Sequence, residues 1–284
     1  MALPTIDIAG NSVVYSLGRE IAKLTDFAHD FAPDYSAVGG VVKMPILSAS
    51  AGIFDADANN YEQNSSVNTA SITLSSQYVA GFSVTPKQMS DGLGAYSNLF
   101  TQMGEDAGRA IARSVEAAVV GQVLSSTNET ATLALTKAGF AGLYKTTMNA
   151  NLAPNNCVLV LNPTAYAKLI EVLGMDVVHL ERAVETGRIE NFLGFKSILA
   201  SNSVDSNILG FIAERGSIGI AGRKIPLLEG YPVYEEFIDK DTGVPATLVG
   251  FLKYATGAYY ITATALFGTA ITNANAIVPL VAAA

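Results

Sequence analysis

Residues 72–86 read ITLSSQYVAGFSVTP, and every even position from Ile72 to Val84 except Ser76 is apolar. The odd positions, Thr73, Ser75, Gln77, Val79, Gly81, Ser83 and Thr85, are mostly polar or small. Alternation with a period of two marks a strand with one buried and one wet face. The thirteen residues from 72 to 84, at ~3.3 Å each, reach about 43 Å, where an ordinary strand has five or six residues. A strand that long cannot lie wholly over the core of its own small domain. The expectation is an arm covered by its own subunit toward Pro86 and by a neighbouring copy toward residue 72.

Its pairing partner is VVKMPIL at 41–47, where Pro45 restricts the strand to an edge or an irregular ladder. The stretch between, 48–71, carries only Ile53, Phe54, Tyr61 and Val67 as large apolar groups, so 41–85 reads as a long β-hairpin. A connection longer than about fifteen residues needs a function or a partner to order it. Ile53, Phe54, Asp55, Asp57, Tyr61, Ile72, Leu74 and Tyr78 are therefore the candidate intersubunit contacts.

Working outward, residues 1–40 hold one amphipathic segment, SLGREIAKLTDFAHDF, with Leu17, Ile21, Leu24 and Ala28 at helical spacing, followed by the breaker-rich APDYSAVGG. This reads as an N-terminal arm. After Pro86 the period becomes 3.6, and Leu93, Tyr96, Phe100, Met103, Ala107, Ile111, Val115, Ala118 and Val123 mark one face of a helix running to about Leu124. Glu105 with Arg109 and Arg113 with Glu116 are spaced to pair on the opposite face. Gly104, Gly108 and Gly121 each weaken such a helix by ~1 kcal/mol relative to alanine, so it needs packing to persist.

Beyond it lie helices at 137–151 and 163–174, the second capped by Asn162 with Pro163 at its first position, and the buried strand CVLVLN at 157–162. DVVHLERAVET at 176–186 has helical character; FKSILAS, ILGFIAE, PVYEEFI, ATLVGFLKYA and AYYITATALFGTAI read as strands. The tail NANAIVPLVAAA is apolar enough to need cover. Arm, long helix and tail each present apolar surface that an isolated subunit hides poorly, which argues for a homo-oligomer.

Composition narrows the function classes. Half of the 284 residues are apolar, only 15% are charged, and the net charge is −8, which speaks against a basic, sequence-reading nucleic-acid binder. One cysteine, Cys157, and two histidines, His29 and His179, leave little for a disulfide framework or a zinc site. The N-terminus lacks a signal-peptide pattern and no apolar run reaches 18 residues, so the expectation is synthesis in a cytoplasm and no membrane contact.

Motifs for chemistry fail one by one. FDADANNYE places Asp55, Asp57 and Asn59 at alternate positions, but Asn60 and Ser66 stand where a calcium loop needs glycine and glutamate; a hairpin tip or an intersubunit contact fits better. IDKDTG at 238–243 reads as a strand-connecting turn. Ser217 in ERGSIGIAG lacks the G-x-S-x-G spacing, and Gly216, Gly219 and Gly222 form no phosphate loop. Cys157 heads an apolar strand with no activating cation beside it, the setting of an inert thiol. His179 and the Glu105, Asp106, Arg109, Arg113 group read as surface or interface. No catalytic residue, cofactor or metal is predicted.

The order of these segments resembles the major capsid proteins of tailed bacteriophages with the Hong Kong 97-type fold. YVAGFSVTPKQMSDG is similar to a hairpin return strand feeding a spine helix, and GEDAGRAIARSVEAAVVGQ to the spine helix itself. CVLVLNPTAYAKL, GRIENFLGFKSILASNSV and GFIAERGSIGIAGR resemble axial-domain phrases. The resemblance implies an α+β fold: N-terminal arm 1–40, extended loop 41–85, peripheral domain with spine helix 86–134, axial domain 135–230, and peripheral strands with the tail 231–284. It implies self-assembly as pentamers and hexamers into an icosahedral virion shell around double-stranded DNA, without sequence-specific binding. A portal is implied as a partner. Only about forty residues precede the extended loop, which favours a separate scaffolding protein over an internal scaffolding segment. An encapsulin-type cargo compartment of the same fold, or a phage tail tube, are the alternatives.

Overall fold

The computed structural model describes residues 4–24, 26–30, 41–47, 67–85, 87–88, 96–125, 130–173, 188–204, 208–223, 225, 233–238, 244–253 and 257–283. Two long helices form its central layer, α1 (Pro4–Leu24) and α2 (Tyr96–Leu124). Helix α1 begins twelve residues before the segment expected from sequence. It buries Ala9, Val13, Leu17, Ile21 and Leu24 inside the subunit, in one core with Phe100, Ile111, Val115 and Val119 of α2. The N-terminal segment is thus no arm in search of a neighbour, because its apolar stripe is already covered by α2.

The glycines of α2 explain how. A Cβ added at Gly104 would sit 2.6 Å from the Ala9 carbonyl oxygen, and one added at Gly108 would collide with Ser16 Oγ and the Val13 carbonyl oxygen. Their missing side chains let the two backbones approach closely enough for Ser16 Oγ to donate to the Glu105 carbonyl at 3.1 Å. Gly121 has nothing within 4 Å and contributes no such contact. On the outer face of α2, Arg109 and Glu105 pair at 2.8 Å as the spacing predicts. Glu116 instead accepts a hydrogen bond from Ser201 at 2.6 Å.

Strand β1 (Ala28–Asp30) follows α1, and a hairpin of β2 (Val41–Leu47) and β3 (Val67–Thr73) precedes β4 (Ser76–Val84). The first sheet is organised on the fourteen-residue strand β13 (Ala258–Ile271). One edge of β13 carries β4, antiparallel from Val84 opposite Tyr259 to Ser76 opposite Phe267. Its other edge carries β12 (Pro245–Lys253) and then β10 (Ile218–Arg223), flanked by β11 (Val233–Ile238) and β1. Odd-numbered residues of β13 such as Ile261, Ala263 and Phe267 are directed at the helix layer.

The second sheet runs β5 (Ala131–Leu133), β14 (Ile277–Ala282), β9 (Ile208–Glu214), β6 (Cys157–Leu161), β8 (Phe195–Ala200), β7 (Arg188–Phe192). It is covered on both faces. Val158, Val160 and Phe211 join the core with α1 and α2, where Phe27 meets Phe211 edge-on at 5.7 Å. Leu159, Leu161 and Ile198 pack with Phe140 of α3 (Lys137–Asn149) and Leu169 of α4 (Pro163–Leu173). Asn162 caps α4 as expected: its Oδ1 accepts from Ala165 N at 2.7 Å while its Nδ2 donates to the Ile208 carbonyl at 2.9 Å.

Two segments change sides relative to the sequence reading. The apolar tail needs no neighbour, since β14 lies between β5 and β9 with Ile277, Val278 and Leu280 buried. Strand β10, expected with the 135–230 unit, pairs with β13 in the first sheet. Both errors have one cause: long-range pairing, which local periodicity does not encode.

The close helix crossing gives a paired prediction. Gly108→Ala should destabilise the unassembled protein by about 1–3 kcal/mol through overpacking, whereas Gly121→Ala should stabilise it by about 0.5–1 kcal/mol. Urea unfolding of the two variants checks the contrast.

Candidate assembly surface

The quoted stretch forms two strands joined by a bend. Ser75 N donates to the Thr73 carbonyl at 3.0 Å, a γ-turn pattern centred on Leu74. Beyond the bend the chain leaves the plane of the first sheet. The place where a Cβ of Gly268 would stand is occupied by the Thr73 carbonyl and, 2.9 Å away, Ile72 Cγ2. Strand β3 therefore crosses over the outer face of β13, and only glycine admits a backbone that close. Ile72 and Leu74 pack there on Ala221, Leu266 and Ala270.

This overturns one expectation. Ile72 is 0% exposed and Leu74 is buried within a single subunit, so neither offers a surface to a neighbour. The alternation itself holds: Val84 is buried, Tyr78 and Phe82 are half-buried, and Val79 between them is 56% exposed. Tyr78 lies 6.4 Å from the Phe267 ring and Phe82 6.4 Å from Phe100, both inside the subunit. Ile53, Phe54, Asp55, Asp57 and Tyr61 lie outside the described residues.

Among the described residues, part of the outer face of the first sheet beside this crossing is uncovered. Phe251 is 37% exposed and stacked on Tyr260, ring centroids 5.3 Å apart and nearly parallel. Val79 across β13 and Ile238 on β11 add exposed apolar area. Strand β4 ends in a reciprocal cap: Thr85 N donates to Gln88 Oε1 at 2.9 Å and Gln88 N donates to Thr85 Oγ1 at 3.3 Å. This T-x-x-Q capping box was readable in VTPKQ, and sequence reasoning passed over it.

Among the described residues the other sequence candidates form no catalytic cluster. Ser217 is buried in the turn between β9 and β10, with Gly216 at φ 83° before it. Cys157 is fully buried, and burial, with Glu214 nearby, pushes its thiol up to about 12. His29 lies in β1; His179 and the Asp55–Asn59 run are outside the described residues. Asp239 to Gly243 are likewise outside them, in the connection from β11 to β12. Among the described residues no three His, Cys, Asp or Glu side chains come together to hold a metal, and no helix is long and apolar enough to cross a membrane.

No protein-family model matches the chain, and no curated protein matches it in sequence. Its fold does match solved structures. The capsid of an empty GTA particle superposes with a TM-score of 0.61 at 14% identity, covering 93% of this chain and 90% of that one. The capsid of cyanophage P-SCSP1u gives 0.55 at 14% identity over 90% and 86%, and a virus-like particle from Pyrococcus furiosus 0.52 at 16% over 94% and 97%. The chain has the Hong Kong 97-type capsid fold, an α+β architecture.

Two outcomes follow. Ile72→Ala should cost about 2–3 kcal/mol at the crossing and speed protease cleavage within 48–66, read by mass spectrometry, while the cores stay protected. Cys157 should react with a thiol reagent at neutral pH on the order of a hundredfold slower in the native chain than in denaturant, because the thiolate is the reactive form.

Proposed function

We propose that this chain is the major shell subunit of a tailed-phage-type particle. Copies gather as pentamers and hexamers and close into an icosahedral capsid around double-stranded DNA. The observation that supports this most is the correspondence with a capsid subunit from end to end, over 93% of this chain and 90% of the other. In that reading residues 41–85 are the extended loop, α2 is the spine helix, the second sheet with α3 and α4 is the axial domain, and the first sheet is peripheral.

Ile53, Phe54, Asp55, Asp57 and Tyr61 on the loop contact a neighbouring subunit, with the uncovered Val79, Phe251 and Tyr260 face as further contact area. A separate scaffolding protein and a portal are its partners, and assembly takes place in a bacterial cytoplasm before the protein becomes part of the virion. An acidic shell suits a genome held by enclosure, since the wall confines the DNA and each subunit needs little affinity for phosphate.

Electron microscopy of the full chain, expressed alone and with its scaffolding partner, tests the proposal. Closed shells of uniform diameter are expected. Tubes would favour a tail protein, closed shells filled with one host enzyme and no DNA a cargo compartment, and a persistent monomer would overturn assembly altogether.

A further inference from the structure

Strand β4 is hydrogen-bonded along one edge. Its nine residues, SQYVAGFSV, pair with β13 without a break from Ser76 to Val84, and among the described residues no strand pairs with the opposite edge. An open edge offers its amides and carbonyls to any approaching strand, and proteins guard against this with charged side chains, proline or very short edge strands. The other edges of the two large sheets are guarded in these ways. Strands β1 and β5 have three residues each, β7 carries Arg188 and Glu190, and β11 carries Glu235 and Glu236. Strand β4 has no charge, no proline and no bulge.

The flank beneath this edge is also open. Tyr78, Ala80 and Phe82 face the helix layer yet are only half-buried, whereas their partners on β13, Ala265, Ala263 and Ile261, are fully buried. One more strand would cover them and satisfy the edge together. We propose that this strand is β4 of a second copy, running antiparallel, so that the first sheet continues from one subunit into the next. An unrelated strand would satisfy one open edge, whereas a second copy satisfies two.

The sequence of β4 fits itself. In the register centred on Ala80, Tyr78 of each copy stands opposite Phe82 of the other, giving two aromatic cross-strand pairs. Val79 then stands opposite Gly81, and Gln77 opposite Ser83. Such a contact is isologous, one surface meeting itself about a two-fold axis. Residues directly opposite share a face, and here even-numbered residues meet even-numbered ones, so both helix layers lie on the same side of the joined sheet. A register displaced by one residue would put them on opposite sides. On the shell reading proposed above, on which this placement rests and which needs every subunit to face the same way, the contact spans a two-fold axis of the particle.

A mixed cross-link tests the pairing. Full-length Gln77→Cys and Ser83→Cys chains, both altered on the outer face of β4, are produced together and separately, purified as particles or as soluble chain, oxidised, and run unreduced on a denaturing gel. Cys157 is buried and does not compete. Directly opposite cysteines are within disulfide reach, while two cysteines at position 77 stand about 20 Å apart in this register. The mixture should give linked dimers at least about fivefold more abundant than either variant alone. No dimers in the mixture, or equal linking in the single-variant samples, would overturn the pairing. Closed shells without the link would remove this contact and leave the shell reading standing; linked dimers that never close into shells would do the reverse. A second measurement needs no variant. In hydrogen exchange of the unmodified chain, alternate amides of 76–84 should exchange about tenfold or more slowly in the assembled form than in the dissociated subunit, and unchanged exchange there would contradict the proposal.

Discussion

The nine-residue ladder between β4 and β13 is the constraint on which the rest depends. Antiparallel pairing fixes which side chains share a face, and a slip of one residue would turn Tyr78, Ala80, Phe82 and Val84 away from the helix layer. Because β13 also carries β12 and β10 on its other edge, that register sets the whole first sheet. It also decides where the chain lifts off. The bend at Leu74 falls where β13 continues to Gly268, and the missing side chain there lets β3 cross over the sheet.

The helix layer obeys the same logic of close approach. Glycines that weaken an isolated helix become the means by which α1 and α2 meet backbone to backbone, and the burial of Val13, Leu17 and Ile21 offsets their propensity cost. The second sheet then closes over the other side of that layer through Phe27 and Phe211.

Much of this was legible in the sequence. The period-two face at 72–84, the long helix ending at Leu124, the Asn162 cap and the inert setting of Cys157 are local properties, and local periodicity reports them. Ser76 held more than was taken from it. The one polar residue in the apolar set stands where β4 begins, just past the bend that divides one long strand into two. Partners distant in the chain were not legible: that Ile72 packs on Ala221 and Leu266, that the tail enters the second sheet, and that α1 lies along α2 depend on contacts no local pattern encodes. The surface was read least well, because an apolar residue shows only that something covers it, and at Ile72 the cover is the same chain.

The central claim is that the hairpin's root belongs to its own subunit, whatever its far end touches. A disulfide between cysteines placed at Ile72 and Ala270, formed by oxidising assembled particles, tests it most directly, since both side chains lie in the cluster at the crossing. Run unreduced on a denaturing gel, the particles should give a single band at the mobility of one subunit, internally linked. A ladder of linked subunits would mean that the root is exchanged between neighbours and would contradict the account.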